Sequence, residues 1–272
     1  MPVKISIAIN SYKNPELLRL CLDSVFRYAG GSGYEFEVLV VDSETEEGTR
    51  LVVADFPAVR FFPFEKNVGF VALINKSLEE STGDYLFLIN HDIVLTHGAV
   101  EDLFRFMTAN RDVGMIGARQ INFNGTEQTS CFRFYRPWTI LLRRTFLGRL
   151  PFGKRHIDWF LMKDYDRKEP KATDWIMGSA MFVRREAARE VGPMDTRFFM
   201  YMEDVDWCRR FWEKRFKVMH VPSVTLYHYH GKGSARGGFL RSLLVNRLTW
   251  YHIVSAVKYF RKYLGKPIPQ HD

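Results

Sequence analysis

The sequence predicts an α/β protein with a mainly parallel central sheet and helices on both faces. Two observations carry that expectation. Apolar runs alternate with amphipathic segments through the first half of the chain, and they repeat as strand, helix, strand, the pattern of a sheet covered by crossover helices. No apolar run approaches the ~18 residues that a membrane-spanning helix needs, so the runs read as strands of a folded core.

Val3 to Ile9 is a β-branched run and reads as the first strand. Asn14-Pro15-Glu16 then starts a helix with a cap-like Asn and a Pro in its first turn. Leu17, Leu18, Cys21, Leu22, Val25 and Phe26 recur at helical spacing along it. Phe36 to Val41 is the second strand and ends at Asp42; a short helix follows, then a strand near Val59 to Phe62. Gly69 to Ser81 reads as a helix, Tyr85 to Ile89 as a buried strand, Ala99 to Ala109 as a helix and Val113 to Ala118 as the strand that closes the series. From about Phe123 to Ala172 the chain is basic and aromatic, punctuated by Pro and Gly, without a clear period; it reads as a long insertion or a flexible acceptor-side segment. Order returns at Trp175. Met177 to Val183 is strand-like, Met202 to Lys214 helical, Val218 to Tyr229 a bent strand pair around Pro222, and Phe239 to Tyr263 a helix of broad apolar pattern with basic residues interleaved.

Charge narrows the function classes. The formal net charge of +8 is uneven: Lys214 to His271 holds eleven Lys and Arg and no acid, and the acid-free stretch Gln128 to Ile157 holds seven more. Two such stretches in one chain point to an anionic partner, whether phospholipid, nucleic acid or phosphorylated substrate. Cys21, Cys131 and Cys208 are odd in number and far apart, which suits a reducing compartment. Met1-Pro2-Val3-Lys4 runs straight into an apolar strand, so no signal peptide is expected and the expected location is cytoplasmic.

In open α/β sheets, ligands gather at the carboxyl ends of the strands. Three polar groups fall at such ends: Ser11 and Tyr12, then Asp42, then Asn90-His91-Asp92. No Gly-x-Gly-x-x-Gly follows the first strand and no Walker loop is present, so phosphates need another anchor, and a divalent cation held by carboxylates is the obvious one. Asp92 is the best candidate for that clamp, with a simple turn before the next helix as the competing reading. Glu203, Asp204 and Asp206 stand at a helix start among aromatics, where the macrodipole keeps carboxylates ionised and a positioned base is chemically sensible. Capping is the alternative there. Asp206 points to a different face from Asp204. Downstream, His228 and His230 share one face of an extended segment and precede Gly231-Lys232-Gly233-Ser234, a set that could supply a metal ligand and a Lys–Ser phosphate contact.

With these residues in place, the chain resembles the family 2 glycosyltransferases of the GT-A fold, and more narrowly their rhamnosyltransferase-like branch. The resemblance runs through Ile5 to Tyr12, Val40 to Ser43, Glu65 to Phe70 with Asn75, Gly83 to Asp92, Asp174 to Ala180, Val183 to Glu186, Gly192 to Asp195, Phe198 to Arg209 and His228 to Ser234, in order along nearly the whole chain. It implies that Tyr12 and Asp42 contact the nucleobase, and that Asn67, within the Asn67-Val68-Gly69 loop, and Asn75 lie along the nucleoside and diphosphate. Asp92 would bind Mg²⁺ or Mn²⁺, with His228, or less so His230, completing the site. Asp204 would be the base, while Trp175, Gly178 and Glu203 would shape the sugar and acceptor pocket. Asn90 stands where many members have Asp, and Lys13 replaces a frequent Asn.

The implied organisation is a nucleotide-sugar-binding half (1–120), an acceptor-binding and catalytic half of the same domain (121–235), and a basic amphipathic helical segment (236–272). The implied activity is inverting transfer from a nucleoside-diphosphate sugar to a lipid-linked or polysaccharide acceptor. dTDP-rhamnose is the favoured donor and a UDP-sugar the runner-up, with peripheral contact to an anionic membrane. A nucleotidyltransferase is disfavoured because Asn10 to Pro15 has no glycine, and a nucleic-acid binder because no binding motif accompanies the charge, so no nucleic acid is expected as a partner.

Overall fold

The computed structural model describes residues 2–229 and 247–269. The N-terminal half alternates as expected: β1 (Val3–Tyr12), α1 (Pro15–Tyr28), β2 (Tyr34–Ser43), α2 (Glu47–Ala54), β3 (Val59–Phe64), α3 (Phe70–Glu80) and β4 (Tyr85–Asn90). There follow β5 (Ile93–Val94), α4 (Ala99–Ala109), β6 (Val113–Ile121), β7 (Glu127–Gln128), β8 (Cys131–Phe132), α5 (Thr139–Arg144), a 3-10 turn (Phe146–Arg149) and α6 (Pro151–Phe160). The remainder is β9 (Lys171–Ala172), β10 (Trp175–Ile176), β11 (Ala180–Arg184), α7 (Arg185–Val191), α8 (Glu203–Glu213), β12 (Lys217–His228) and α9 (Arg247–Lys262).

One large sheet runs β3-β2-β1-β4-β11-β6-β12-β5, with β7 and β9 on its edges. The pairs β1–β2, β1–β4, β2–β3 and β6–β12 are parallel, whereas β11 runs antiparallel between β4 and β6. The sheet is therefore mixed, and it joins residues 1–120 to residues 121–228 without a break. Alternation along β4 shows how the strands are buried on both sides. Tyr85, Phe87 and Ile89 join the cluster made with Leu18, Leu22, Val25 and Leu103, while Leu86 and Leu88 join Trp207, Phe211 and Tyr259 on the opposite face. The β-branched and aromatic runs form strands because every second residue has a helix to cover it.

Four expectations need correction. Asn14 does not cap α1 with its side chain; it sits in the left-handed region at φ 55°, and Pro15 opens the helix. Val218 to Tyr229 is not a strand pair: β12 is one strand whose register against β6 shifts between Val221 and Thr225, around Pro222, a residue that cannot donate to the ladder. The stretch 123–172 is ordered rather than a flexible insertion. It buries Cys131, Phe132, Phe134, Tyr135, Phe160, Met162 and Tyr165, and β8 pairs β10. Its pieces are too short for any period to emerge.

The fourth concerns α9. One side packs inward, with Ala256, Tyr259 and Tyr263 buried with α8, while Trp250, Tyr251, Val254 and Val257 are exposed. Fully buried Asp206 accepts from Lys262 (2.5 Å), Tyr263 (2.9 Å) and Arg210 (3.0 Å). Lys262 also bridges Asp195 at 2.7 Å, and Lys258 donates to the Arg197 carbonyl. Two of the basic residues expected to face lipid are thus fasteners of the helix.

Candidate active site

Backbone pairing assembles the site. Ser11 lies opposite Asp42 and Asn10 opposite Asn90 in the parallel register, so the carboxyl ends of β2, β1 and β4 are neighbours. The chain leaves β1 to build β2 and β3 on one side and β4 on the other, so a crevice opens at this switch point. Across from it, β12 pairs β5, aligning His228 with Ile93, and the Tyr229 N–H donates to the Asp92 carbonyl at 2.9 Å. Two residues 136 positions apart in sequence (228 − 92) thereby become neighbours.

His228 Nε2 lies 3.4 Å from Asp92 Oδ1. The tautomer follows from hydrogen bonding. The Gln128 amide nitrogen donates to the His228 carbonyl (2.9 Å) and to Asn122 Oδ1 (2.6 Å), so its oxygen faces His228 Nδ1 at 2.8 Å and accepts from it. Nε2 thus faces Asp92 Oδ1, a buried carboxylate oxygen with no hydrogen bond among the described residues. An imidazole nitrogen and a carboxylate oxygen side by side are a donor set that suits a divalent cation. No group of three His, Cys, Asp or Glu able to hold a metal exists among the described residues. Two protein ligands with the rest from diphosphate oxygens and water match how Mg²⁺-type ions sit in nucleotide sites. Gln128 fixes the ring, as an outer partner of a ligating His commonly does.

Asp92 and His228 open into a cavity of about 340 Å³, which also meets Asn90, Gly178, Glu203 and Asp204 and, farther along, Trp175, Tyr135, Tyr201 and His252. Asp204 enters it from the first turn of α8, its Oδ2 accepting from the Gly178 N–H (3.1 Å) and its Oδ1 from the Val205 N–H (2.9 Å). Burial pushes its pKa up to about 6, against the pull of those two N–H groups. Glu203 is almost wholly buried, with Oε2 unpartnered among the described residues; burial first, then the Asp204 charge, raises its pKa well above the usual carboxylate range. The two carboxyls are neighbours in a buried setting that disfavours charge on each of them. The arrangement places two buried carboxyls and the Asp92–His228 pair around one crevice.

The other expected residues divide. Asp42 is fully buried, with neither carboxylate oxygen in good hydrogen-bond geometry among the described residues; burial raises its pKa against the pull of the nearby Thr45 and Ser11 hydroxyls. Unmet buried acceptors at a strand end await a donor, as a nucleobase edge would be. Tyr12 is exposed and donates to Glu44 at 3.1 Å, and Lys13 lies 5.5 Å over its ring. His91 lies in the field of Asp42, Asp92 and His228, and burial lowers its pKa, which keeps it neutral. Asn90 presents a buried, unbonded Oδ1 at the cavity. Trp175 lines the cavity, stacked on Phe132 at 4.3 Å.

Asn75 is not brought to the cavity. Both of its amide atoms bond the Met194 backbone (2.9 and 2.8 Å), so it ties α3 to the loop before α8. Asn67 uses its oxygen to accept from the Gly69 N–H at 3.0 Å. Gly69 serves a close approach: its φ is +80°, and a Cβ there would lie 2.6 Å from the Phe199 carbonyl oxygen, which accepts from Phe70 N–H. His230, Lys232 and Ser234 lie outside the described residues. Sequence reasoning missed Gln128, Tyr135, Tyr201, Ser179 and His252. Gln128 and Tyr135 sit in the stretch read as flexible, and no local signal marks them.

Among the described residues no helix is long and apolar enough to cross a membrane. A family model described as Glycosyl transferase family 2 matches residues 6–192. The N-acetylglucosaminyl-diphospho-decaprenol L-rhamnosyltransferase of Mycobacterium tuberculosis is 28% identical over 216 residues, covering 73% of this chain and 68% of that protein. The rhamnosyltransferase WbbL of Escherichia coli is 24% identical, covering 74% and 70%. In fold, the chain is similar to GalNAc-T7 solved with UDP, GalNAc and Mn²⁺ (TM-score 0.65, 16% identity, 84% of this chain and 44% of that one). It is also similar to the mannosyltransferase PcManGT of Pyrobaculum calidifontis solved with GDP-Man and Mn²⁺ (TM-score 0.57, 14% identity, 99% and 79%). A GT-A-type sheet carrying a matching family model over 187 of 272 residues (6 to 192) leaves one assignment: the chain belongs to glycosyl transferase family 2 and is a glycosyltransferase of rhamnosyltransferase-like sequence.

Proposed function

We propose that this enzyme moves a sugar from a nucleoside-diphosphate donor to a lipid-linked or polysaccharide acceptor, with inversion at the anomeric carbon. The observation that carries the reading is the single cavity shared by Asp204 and by the Asp92–His228 pair. Asp42, Ser11 and Asn90 offer unmet polar atoms for the nucleoside end. Asp92 and His228 would hold Mg²⁺ or Mn²⁺, whose chemistry there is to neutralise charge growing on the leaving diphosphate. Asp204 accepts the proton of the acceptor hydroxyl and, fixed by two backbone N–H groups, aligns that oxygen for a single in-line displacement. Burial and the Asp204 charge both favour the uncharged form of Glu203 beside it. dTDP-rhamnose is the favoured donor, in keeping with the rhamnosyltransferases that the sequence resembles, and a UDP-sugar comes second.

The reading includes a cytoplasmic site of action at the inner face of the membrane. Trp138, Leu141, Phe146 and Phe152 are 49%, 51%, 71% and 61% exposed in the acid-free stretch, so the face made by α5, the 3-10 turn and α6 suits contact with anionic lipid, with Lys258 and Lys262 engaged within the protein. Phe146→Ser with Phe152→Ser should weaken sedimentation with anionic vesicles; unchanged binding would remove this face.

A thermal-shift screen of nucleotide sugars with Mn²⁺, followed by the anomeric configuration of the product, tests the central reading. A donor-dependent rise in melting temperature lost in EDTA and in Asp92→Asn, with an inverted product, is expected. Retention of configuration, or full turnover in EDTA, would overturn it.

A further inference from the structure

Arg143 and Arg144 end α5 without an acidic partner, a combination the donor chemistry does not use. Arg144 is partly buried, and its Nη2 lies 2.7 Å from His252 Nδ1, a ring nitrogen on the cavity wall. Arg143 donates to the Tyr135 hydroxyl at 3.1 Å, another cavity-wall group. No salt bridge involves either guanidinium among the described residues, and the sequence holds no Asp or Glu between Gln128 and Ile157 or between Lys214 and His271. Burial, and then the neighbouring arginines, lower the pKa of both Arg144 and His252; for the ring it falls to about 4, so His252 stays neutral and adds no charge of its own. Arg144, partly buried and with no carboxylate partner among the described residues, gains from an anionic ligand that supplies one.

Tyr135, to which Arg143 donates, and His252, to which Arg144 donates, line the same cavity as Asp204, Asp92 and His228. α5 also carries exposed Leu141, flanked by exposed Trp138 and Phe146, so an anionic head and an apolar chain would meet the same short helix.

We propose that Arg143 and Arg144, with His252, form an anion subsite that grips the phosphate or diphosphate of a lipid-linked acceptor while its sugar hydroxyl faces Asp204. The inference rests on the glycosyltransferase reading above and names the acceptor class for that site. Two measurements separate its failure from failure of that reading. Inorganic pyrophosphate is titrated calorimetrically with Mg²⁺ present throughout, in saturating dTDP or UDP to fill the donor side. Arg144→Gln should weaken binding at least about tenfold, the scale of a lost charge-assisted contact, with Arg144→Lys between the two and Arg111→Gln, a surface change after α4, near wild type. Nucleoside-diphosphate binding should not change in Arg144→Gln. Turnover is then compared on a short-prenyl diphospho-N-acetylglucosamine and on octyl N-acetylglucosaminide: wild type should prefer the diphosphate, and Arg144→Gln should raise KM for it without changing kcat or the KM for donor. Pyrophosphate binding indifferent to Arg144, or a loss confined to the nucleotide, would overturn the subsite. If neither acceptor is used, the choice of acceptor sugar fails and the pyrophosphate titration still decides the subsite.

Discussion

Replacing Asp204 with Asn should slow the enzyme and improve its stability relative to wild type as pH rises, and the two effects have one cause. The folded protein holds this carboxyl at a pKa of about 6 rather than 3.8, because burial disfavours the charge. An acid with a raised folded-state pKa binds its proton more tightly when folded, so stability is greatest below the ordinary value and declines as pH climbs through about 6. From those two values the ionisation costs the fold about 1.5 kcal/mol at pH 5 and about 3 kcal/mol at pH 8. Asn removes this term at every pH but leaves one of the Gly178 and Val205 N–H groups facing its NH₂, a pH-independent loss of about 1–3 kcal/mol. The difference between the two pH values is therefore the clean quantity: Asp204→Asn should gain about 1.5 kcal/mol relative to wild type between pH 5 and pH 8, or roughly 3–6 °C in melting temperature. Turnover should fall by a factor on the order of 10² to 10⁴, the usual worth of a general base. Wild-type kcat/KM should itself drop about tenfold from pH 7 to pH 5, as the ionised fraction falls from about 0.9 to about 0.1. Scanning calorimetry and initial rates at both pH values measure all three. A mutant within a few-fold of wild-type turnover, or a melting difference that ignores pH, would refute the assignment.

Gln128→Leu frees the His228 tautomer without touching either ligand, and Mn²⁺ activation should weaken 10- to 100-fold, of the order seen when outer partners of metal ligands are lost. An unchanged Mn²⁺ titration would mean that the hydrogen bond does not orient the ring. Lys262→Met leaves buried Asp206 short of one cation and should cost on the order of 3 kcal/mol in urea unfolding, while vesicle binding per folded molecule stays unchanged. Gly69→Ala forces a Cβ onto the Phe199 carbonyl at positive φ and should destabilise by about 1–3 kcal/mol; a neutral outcome would show that the loop relaxes freely.

The sequence alone determined the α/β alternation from β1 to β6, because each strand is a continuous apolar run and each helix a periodic one, and both signals are local. It also placed Ser11, Asp42 and Asn90 to Asp92 at strand ends, since a strand's end is visible where the apolar run stops. Asp204 stood out because acids at a helix start among aromatics break the ordinary pattern. Only the tertiary structure decided the rest. The antiparallel insertion of β11 between β4 and β6 depends on long-range pairing that no local period encodes. Asp92 meets His228 because β5 pairs β12, and Gln128 fixes the ring from a two-residue strand too short to be seen in sequence. The basic residues of α9 could not be sorted by composition: Lys262 and Arg261 are neighbours of like charge, yet only Lys262 faces Asp206 and Asp195, and burial against a carboxylate is settled by which side of the helix packs.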